Sequence, residues 1–192
     1  LRRDGIPLAG RAALPLLRIL DRAAPSGTDR IDDDRAAGAL AHIALPEEEK
    51  FSLELVTGQP WSGYNWYKGD ATSLIQINTD LPVLMSRAVD LGCHEGYPGH
   101  HAYNALLEKS LVKDKGWTEF SVYPLYSPMS LIAEGSANYG IEMAFSEAER
   151  LAFERDVLFP MAGLDPKLAK KYADLRKLLG KHIVGFKRLA KF

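Results

Sequence analysis

Cysteine is scarce in this chain, because Cys93 is the only one among 192 residues. A single cysteine excludes an intrachain disulfide framework and a cysteine-rich zinc finger, so any bound metal would depend on histidine and carboxylate ligands. An excess of one charge is also lacking, since 24 Lys and Arg residues face 25 Asp and Glu residues. Without a field that attracts nucleic acid or an anionic membrane, we expect a peptide or small-molecule substrate and no nucleic-acid partner.

Long hydrophobic runs are missing as well. No segment approaches the roughly 20 uninterrupted apolar residues that span a bilayer, which predicts a soluble chain with no integral membrane segment. The chain begins at Leu1, and no apolar segment typical of a signal peptide follows. The compartment stays open, because an exported or periplasmic protein would have lost its signal sequence before Leu1. The sequence does not indicate an oligomeric state.

Helical patterns dominate what is present. Apolar spacing, cap residues and early-turn prolines predict helices over 7–24, 35–43, 81–95 and 100–111, another from Ser127-Pro128, and a basic amphipathic helix over 165–192. The length and the 46% hydrophobic content predict one core. We therefore expect a mainly α fold and a single catalytic domain over residues 1–192, or a fragment of a larger one.

Two neighbouring segments interrupt this helical pattern. Residues 58–69 (GQPWSGYNWYKG) combine glycine and proline with four large aromatic residues, a composition that predicts a loop serving as a hydrophobic plug or as a pocket wall. Residues 73–79 (SLIQINT) alternate apolar and polar residues, the pattern of a half-buried strand. The sequence thus predicts a short strand or small sheet close to residues 94–101.

The strongest chemical signal lies in residues 94–101, HEGYPGHH, where three of the five histidines stand beside Glu95. In an HExxH helix the second histidine lies four residues after the first, but here that position is Pro98. A straight helix would place His100 about 9 Å along the axis from His94 and about 120° around it. Because zinc–imidazole bonds are about 2.0 to 2.1 Å, Pro98-Gly99 must interrupt the helix to bring both rings to one ion.

Each of the two remaining ligands has a favoured candidate and an alternative. His100 is the favoured second ligand, and His101 is its competitor. Glu134 is the best third ligand because small residues on its helix, Gly135 and Ala137, would permit close packing; Glu142 is the alternative. A tetrahedral catalytic zinc with three protein ligands keeps one position open.

HEGYPGHH, followed about forty residues later by EGSANYGIE, resembles the HExxPGHH and EGxAxYxE motifs of a bacterial family known as domain of unknown function 885, with the last glutamate of the second motif one residue later here. The SLIQINT segment also resembles that family's strand, so the match covers about residues 58–145, the expected metal-site core. The family is regarded as zinc-peptidase-like. The resemblance implies a zincin-like helical core, one zinc ion and hydrolase chemistry, and differs at Ser136, where Trp is usual.

The expected mechanism is peptide hydrolysis by metal-activated water, with His94, His100 and Glu134 as ligands and Glu95 as general base. His101 or a tyrosine would stabilise the oxyanion; the candidates are Tyr97, Tyr123, Tyr126 and Tyr139. Expected substrate contacts are Tyr97, Asn138 and Tyr139, with a peptide strand pairing with residues 73–79. The alternatives are a catalytically inactive metal-binding or peptide-binding protein, and a metal-free helical interaction domain.

Overall fold

The computed structural model describes residues 45–80 and 85–178. The chain divides into two compact units, Leu1–Phe145 and Ser146–Phe192. The helices predicted over 7–24 and 35–43, the start of the helix at 81–84 and the C-terminal 179–192 lie outside the described residues. What is described is mainly helical with one small sheet, as the sequence predicts.

The sheet of the first unit has three strands, β1 (Lys50–Val56), β2 (Gly63–Gly69) and β3 (Thr72–Asn78). Their spatial order is β1-β3-β2, with β1 parallel and β2 antiparallel to β3. The strand predicted over 73–79 matches β3 within one residue, but β1 was not predicted. The loop prediction is wrong over 63–69, where the chain forms β2. This strand is stabilised by hydrogen bonds to β3, and the local glycine content does not indicate such pairing with another segment.

β3 is the central strand of this sheet. Ser73, Ile75 and Ile77 are buried on one face, where the isoleucines pack with Leu91 of the following helix. Because β3 is paired on both sides, the prediction that a substrate strand pairs with it is wrong. Among the described residues, β1 and β2 each pair with β3 alone, so both are edge strands and β2 has one free edge.

The turn between β2 and β3 is fixed by one carboxylate. Asp70 and Ala71 both have φ of 49°, the left-handed conformation found in tight hairpin turns. Glu108 accepts hydrogen bonds from the Asp70 amide at 3.0 Å, the Ala71 amide at 3.1 Å and the Tyr67 hydroxyl. The end of β2 is therefore held against the helix that carries Glu108.

Three helices of the first unit hold the candidate ligands. The described part of α1 spans Met85–Leu91 and continues as a π-helical turn over Gly92–Gly96. α2 spans His100–Leu107 and widens into a second π-helical turn over Glu108–Lys113, and a 3-10 turn follows at Thr118–Ser121. α3 spans Pro128–Ala144. Its predicted start is confirmed, because the Ser127 hydroxyl caps it by accepting from the Ser130 amide at 3.3 Å.

α3 approaches the 92–100 segment through small buried residues. Ala133, Ala137 and Gly140 lie one turn apart and are buried. A methyl group at Gly140 would lie 2.9 Å from the Pro98 Cγ atom, which is closer than carbon atoms pack. The small-residue contact was predicted, and Ala137 takes part in it. Gly135 does not, because it is exposed and nothing lies within 4 Å of its methyl position.

The second unit is helical throughout its described residues. It contains α4 (Glu147–Phe153), a π-helical turn (Glu154–Leu158), α5 (Phe159–Met161), a 3-10 turn (Pro166–Leu168) and α6 over 169–178. Buried Glu154 accepts hydrogen bonds from Arg150 and Arg176. Among the described helices of the chain, none has the length and apolarity that a membrane crossing requires.

Candidate metal centre

The backbone between the first two histidines of the motif is interrupted, as the sequence predicts. The π-helical turn ends at Gly96, Tyr97 is extended with φ of −115° and ψ of 131°, and α2 begins at His100. The Gly99 amide donates to the Cys93 carbonyl at 2.9 Å. A side chain at Gly99 would place its Cβ 1.9 Å from the His94 carbonyl oxygen, so only glycine fits this return of the chain.

This backbone path brings His94 and His100 together. Their ring centroids are 4.6 Å apart with the planes at 88°. Glu134 reaches both from α3, with its Oε2 atom 3.3 Å from His94 Nε2 and its Oε1 atom 3.2 Å from His100 Nε2. One ligand atom from each residue can be chosen so that all lie within 4.8 Å of one another.

The donor types suit a tetrahedral zinc ion, whose bonds of about 2.0 to 2.1 Å would separate neighbouring ligand atoms by about 3.3 Å. The two histidines face different oxygens of Glu134, so the side chains would draw closer together around an ion held by one of these oxygens. Two imidazoles and one carboxylate are also a ligand set that catalytic zinc uses. The first two ligands are mostly buried, with 17% and 13% of the His94 and His100 side chains exposed, whereas Glu134 is 53% exposed.

The charge state of the histidines suits metal binding. Burial lowers the pKa of both His94 and His100, against the opposing effect of the Glu134 carboxylate. Neutral imidazole is the form that binds a metal. The Asn138 side chain is a polar neighbour of His94 on the same helix that carries Glu134.

Glu95 lies beside this cluster and is only 5% exposed. Burial, and secondarily the negative charge of Glu134, raise the pKa of Glu95 to about 7, while Arg87 opposes the rise. On the sheet side, the methyl position of Gly63 would be 3.3 Å from Glu95 Oε1. The side-chain amide of Asn65 donates from its Nδ2 atom to the Glu95 carbonyl at 2.7 Å, so β2 holds the backbone of this residue as well.

A cleft of about 790 Å³ opens over the cluster and lies wholly within the first unit. His94, Glu95, His100, Glu134 and Asn138 line one part of it. Ser62 and all seven residues of β2 line another part. Because successive side chains of a strand point to opposite faces, residues from both faces can line one cleft only if it runs along the edge of the strand. The cleft therefore runs along the free edge of β2, and the aromatic residues Tyr64, Trp66 and Tyr67 belong to its wall.

Most of the other predicted site residues lie outside the cleft. His101 and Tyr97 are buried, with 0% and 3% exposed, and both hydrogen-bond Glu49 rather than facing the cleft. Tyr139 is 61% exposed and is not part of the cleft wall. Glu142 is exposed two turns beyond Glu134 and does not join the cluster. Of the remaining tyrosines, Tyr123 lines the cleft and Tyr126 does not.

Several residues around the site carried no recognisable signal in the sequence. Glu49 belongs to an acidic run that is typical of a solvated surface, yet only 8% of it is exposed. Asn65 and Gly63 lie in the segment predicted as a loop, and their role depends on β2 lying next to Glu95. The concentration of aromatic residues, Tyr64, Trp66 and Tyr67, was the available indication of a strand.

Comparisons of the chain with protein-family models, with curated proteins and with solved structures found no match.

Proposed function

We propose that this protein is a zinc-dependent hydrolase, of metallopeptidase type, with a zincin-like core, and that it belongs to the zinc-peptidase-like family that its two motifs resemble. One observation carries the proposal: His94, His100 and Glu134 converge below an open cleft, and the carboxylate of Glu95 lies next to them. His94, His100 and Glu134 would hold a single ion. When bound, zinc supplies a Lewis acid that polarises a substrate carbonyl and makes water a stronger acid.

Glu95 is assigned the proton transfers. In the metal-free protein, burial and the charge of Glu134 raise the pKa of Glu95 to about 7. A carboxylate beside the ion can accept a proton from attacking water. The protonated carboxyl can then deliver the same proton to the leaving amine. His101 has no place in this scheme, since both of its ring nitrogens are engaged away from the cleft.

The free edge of β2 favours an extended peptide as substrate. A peptide strand can hydrogen-bond to the unpaired backbone groups of an edge strand, which places its own backbone along the cleft. Gly63 and Asn65 bring this edge close to Glu95. A scissile bond in such a strand would pass near the assigned base.

The test combines metal analysis with cleavage of a broad peptide library. We expect about one zinc ion per chain, and cleavage products from the zinc-loaded protein. Glu95→Gln should retain the metal and lose cleavage, because an amide cannot accept the proton. His94→Ala and Glu134→Gln should lose most of the metal.

Glu142→Gln is the matched control, because Glu142 is an exposed glutamate on the same helix as Glu134. It should leave metal content and cleavage unchanged. Absence of stoichiometric zinc in the unmodified protein would reject the proposal. Stoichiometric zinc without cleavage of any peptide would instead favour the catalytically inactive metal-binding or peptide-binding alternative.

A further inference from the structure

A second cluster of polar side chains is buried on the side of the 94–101 motif that faces away from the cleft. His101 Nδ1 lies 2.8 Å from Ser73 Oγ, and His101 Nε2 lies 2.5 Å from Glu49 Oε2. The Tyr97 hydroxyl donates to the same Glu49 oxygen. The Phe51 ring covers both partners, with its centroid 5.5 Å from Tyr97 and 5.4 Å from His101.

This cluster contains a serine, a histidine and a glutamate in the order of a nucleophilic triad, but burial excludes that chemistry. His101 is 0% and Ser73 1% exposed, and neither residue lines the cleft. A nucleophile must meet its substrate, and no substrate atom can reach the Ser73 hydroxyl. The cluster must therefore act on the protein itself.

The positions of Tyr97 and His101 in the chain show which segment the buried cluster holds. Tyr97 and His101 flank Pro98, Gly99 and His100, the short segment that leaves the π-helical turn and begins α2. One carboxylate thus binds the residue before this segment and the residue after it. Glu49 is itself fixed at the start of β1, where its amide donates to the Pro46 carbonyl at 3.1 Å.

Ser73 adds a second point of attachment, because it lies on the central strand β3. The segment that brings His100 to the candidate metal ligands His94 and Glu134 is consequently attached to both β1 and β3. Its own sequence cannot provide this rigidity, since the α-helical hydrogen bonding is interrupted between Gly96 and His100. A ligand needs a defined ring position, and outer groups that fix ligands influence metal affinity strongly.

We propose that Glu49 is a positioning residue for the metal site: by binding Tyr97 and His101 together, it sets the place of His100 without touching the ion. This inference rests on the proposed metal centre, but not on the reaction. A buried polar cluster in which every group has a hydrogen-bond partner stabilises a single arrangement of its side chains. Removal of one partner leaves the other groups buried without a hydrogen bond, which costs free energy.

The experiment measures metal binding in folded protein rather than activity. Zinc dissociation constants come from competition with a chromophoric chelator, and the visible spectrum of the Co²⁺-substituted protein reports the coordination geometry. The variants are Glu49→Gln, Glu49→Asp as the conservative replacement, and Glu48→Gln as an exposed control one residue away. Far-ultraviolet circular dichroism checks that each variant is folded before titration.

We expect Glu49→Gln to weaken zinc binding by about tenfold or more and to change the Co²⁺ spectrum. Glu49→Asp should recover part of the affinity, because it keeps the charge, and Glu48→Gln should match the unmodified protein. If Glu49→Gln does not fold, Tyr97→Phe removes one hydroxyl, keeps the ring, and should give a smaller change of the same kind.

Two negative results have different meanings. An unmodified protein that binds neither zinc nor Co²⁺ would reject the metal centre itself. An unmodified protein that binds both, with a folded Glu49→Gln or Tyr97→Phe variant of equal affinity and identical spectrum, would overturn the positioning role and leave the metal centre intact.

Discussion

Single side chains carry most of the proposed chemistry, and the surroundings of Glu95 are unusual for a carboxylate. Its side chain is nearly enclosed, with Gly63 packed beside one oxygen and the Glu134 charge nearby. The pKa of about 7 means that the protonated and ionised forms are both populated near neutral pH in the metal-free protein. The stability of that metal-free protein should report on this residue.

We predict that metal-free protein loses stability relative to metal-free Glu95→Gln as the pH rises from about 4.5 to about 7. The folded state holds the Glu95 proton up to about pH 7, whereas the unfolded chain releases it near the ordinary value of 4.5, so deprotonation favours unfolding. Above pH 7, Glu95→Gln should be more stable than the unmodified protein by up to about 3 kcal/mol. Urea unfolding at several pH values checks this.

Glu48→Gln serves as the exposed control in that series and should follow the unmodified protein throughout. A Glu95→Gln curve parallel to the unmodified one at every pH would contradict the assigned environment of Glu95.

How far single residues could be predicted depends on where their partners lie. Two short motifs contain the residue types typical of a metal site: His94, Glu95 and His100 in the first, and Glu134 in the second. The structure brings His94, His100 and Glu134 together. Glu49 could not be identified, because its partners Tyr97 and His101 are about fifty residues away. Burial of a surface-type residue is set by such distant contacts, which local sequence does not contain.

At the scale of elements, the contact between α3 and the 92–100 segment decides whether Glu134 reaches the histidines. Gly140 allows this approach because its methyl position is already filled by Pro98. A methyl group at Gly135, on the same helix, would have no other atom within 4 Å. These two positions provide a matched pair for testing the contact.

We predict that Gly140→Ala lowers zinc affinity by at least about tenfold and destabilises the protein by about 1 to 3 kcal/mol, because α3 must move away from Pro98. Gly135→Ala should leave zinc affinity unchanged and stabilise the helix by up to about 1 kcal/mol. Isothermal titration with zinc and urea unfolding measure both quantities. Equal affinities in the two variants would contradict the role given to this contact.

The elements themselves were predictable to different degrees. α3 was found because Ser127-Pro128 is a strong local start, and β3 because its alternation is regular. The π-helical turn at 92–96 was not foreseen, although an interruption at Pro98-Gly99 was. A widened turn depends on packing against α3 and β2, so a local pattern indicates the break but not its shape.

For the whole first unit, the proposed ion joins parts of the chain that are about forty residues apart. We predict that zinc at 1,000 times its dissociation constant stabilises the protein by about 4 kcal/mol, which raises the melting temperature by about 10 °C. A chelator should reverse the shift. Differential scanning fluorimetry with and without zinc measures it, and His94→Ala should show no shift.

The free edge of β2 also has a consequence for the behaviour of the protein at high concentration. An unpaired strand can accept the same strand from a second copy as readily as a peptide. The charge of Lys68 and the irregular register between Tyr67 and Gly69 oppose such self-pairing at one end of the strand. The edge beside Gly63 lacks these protections, so a peptide occupying the cleft should keep the protein in solution as well as present a bond for cleavage.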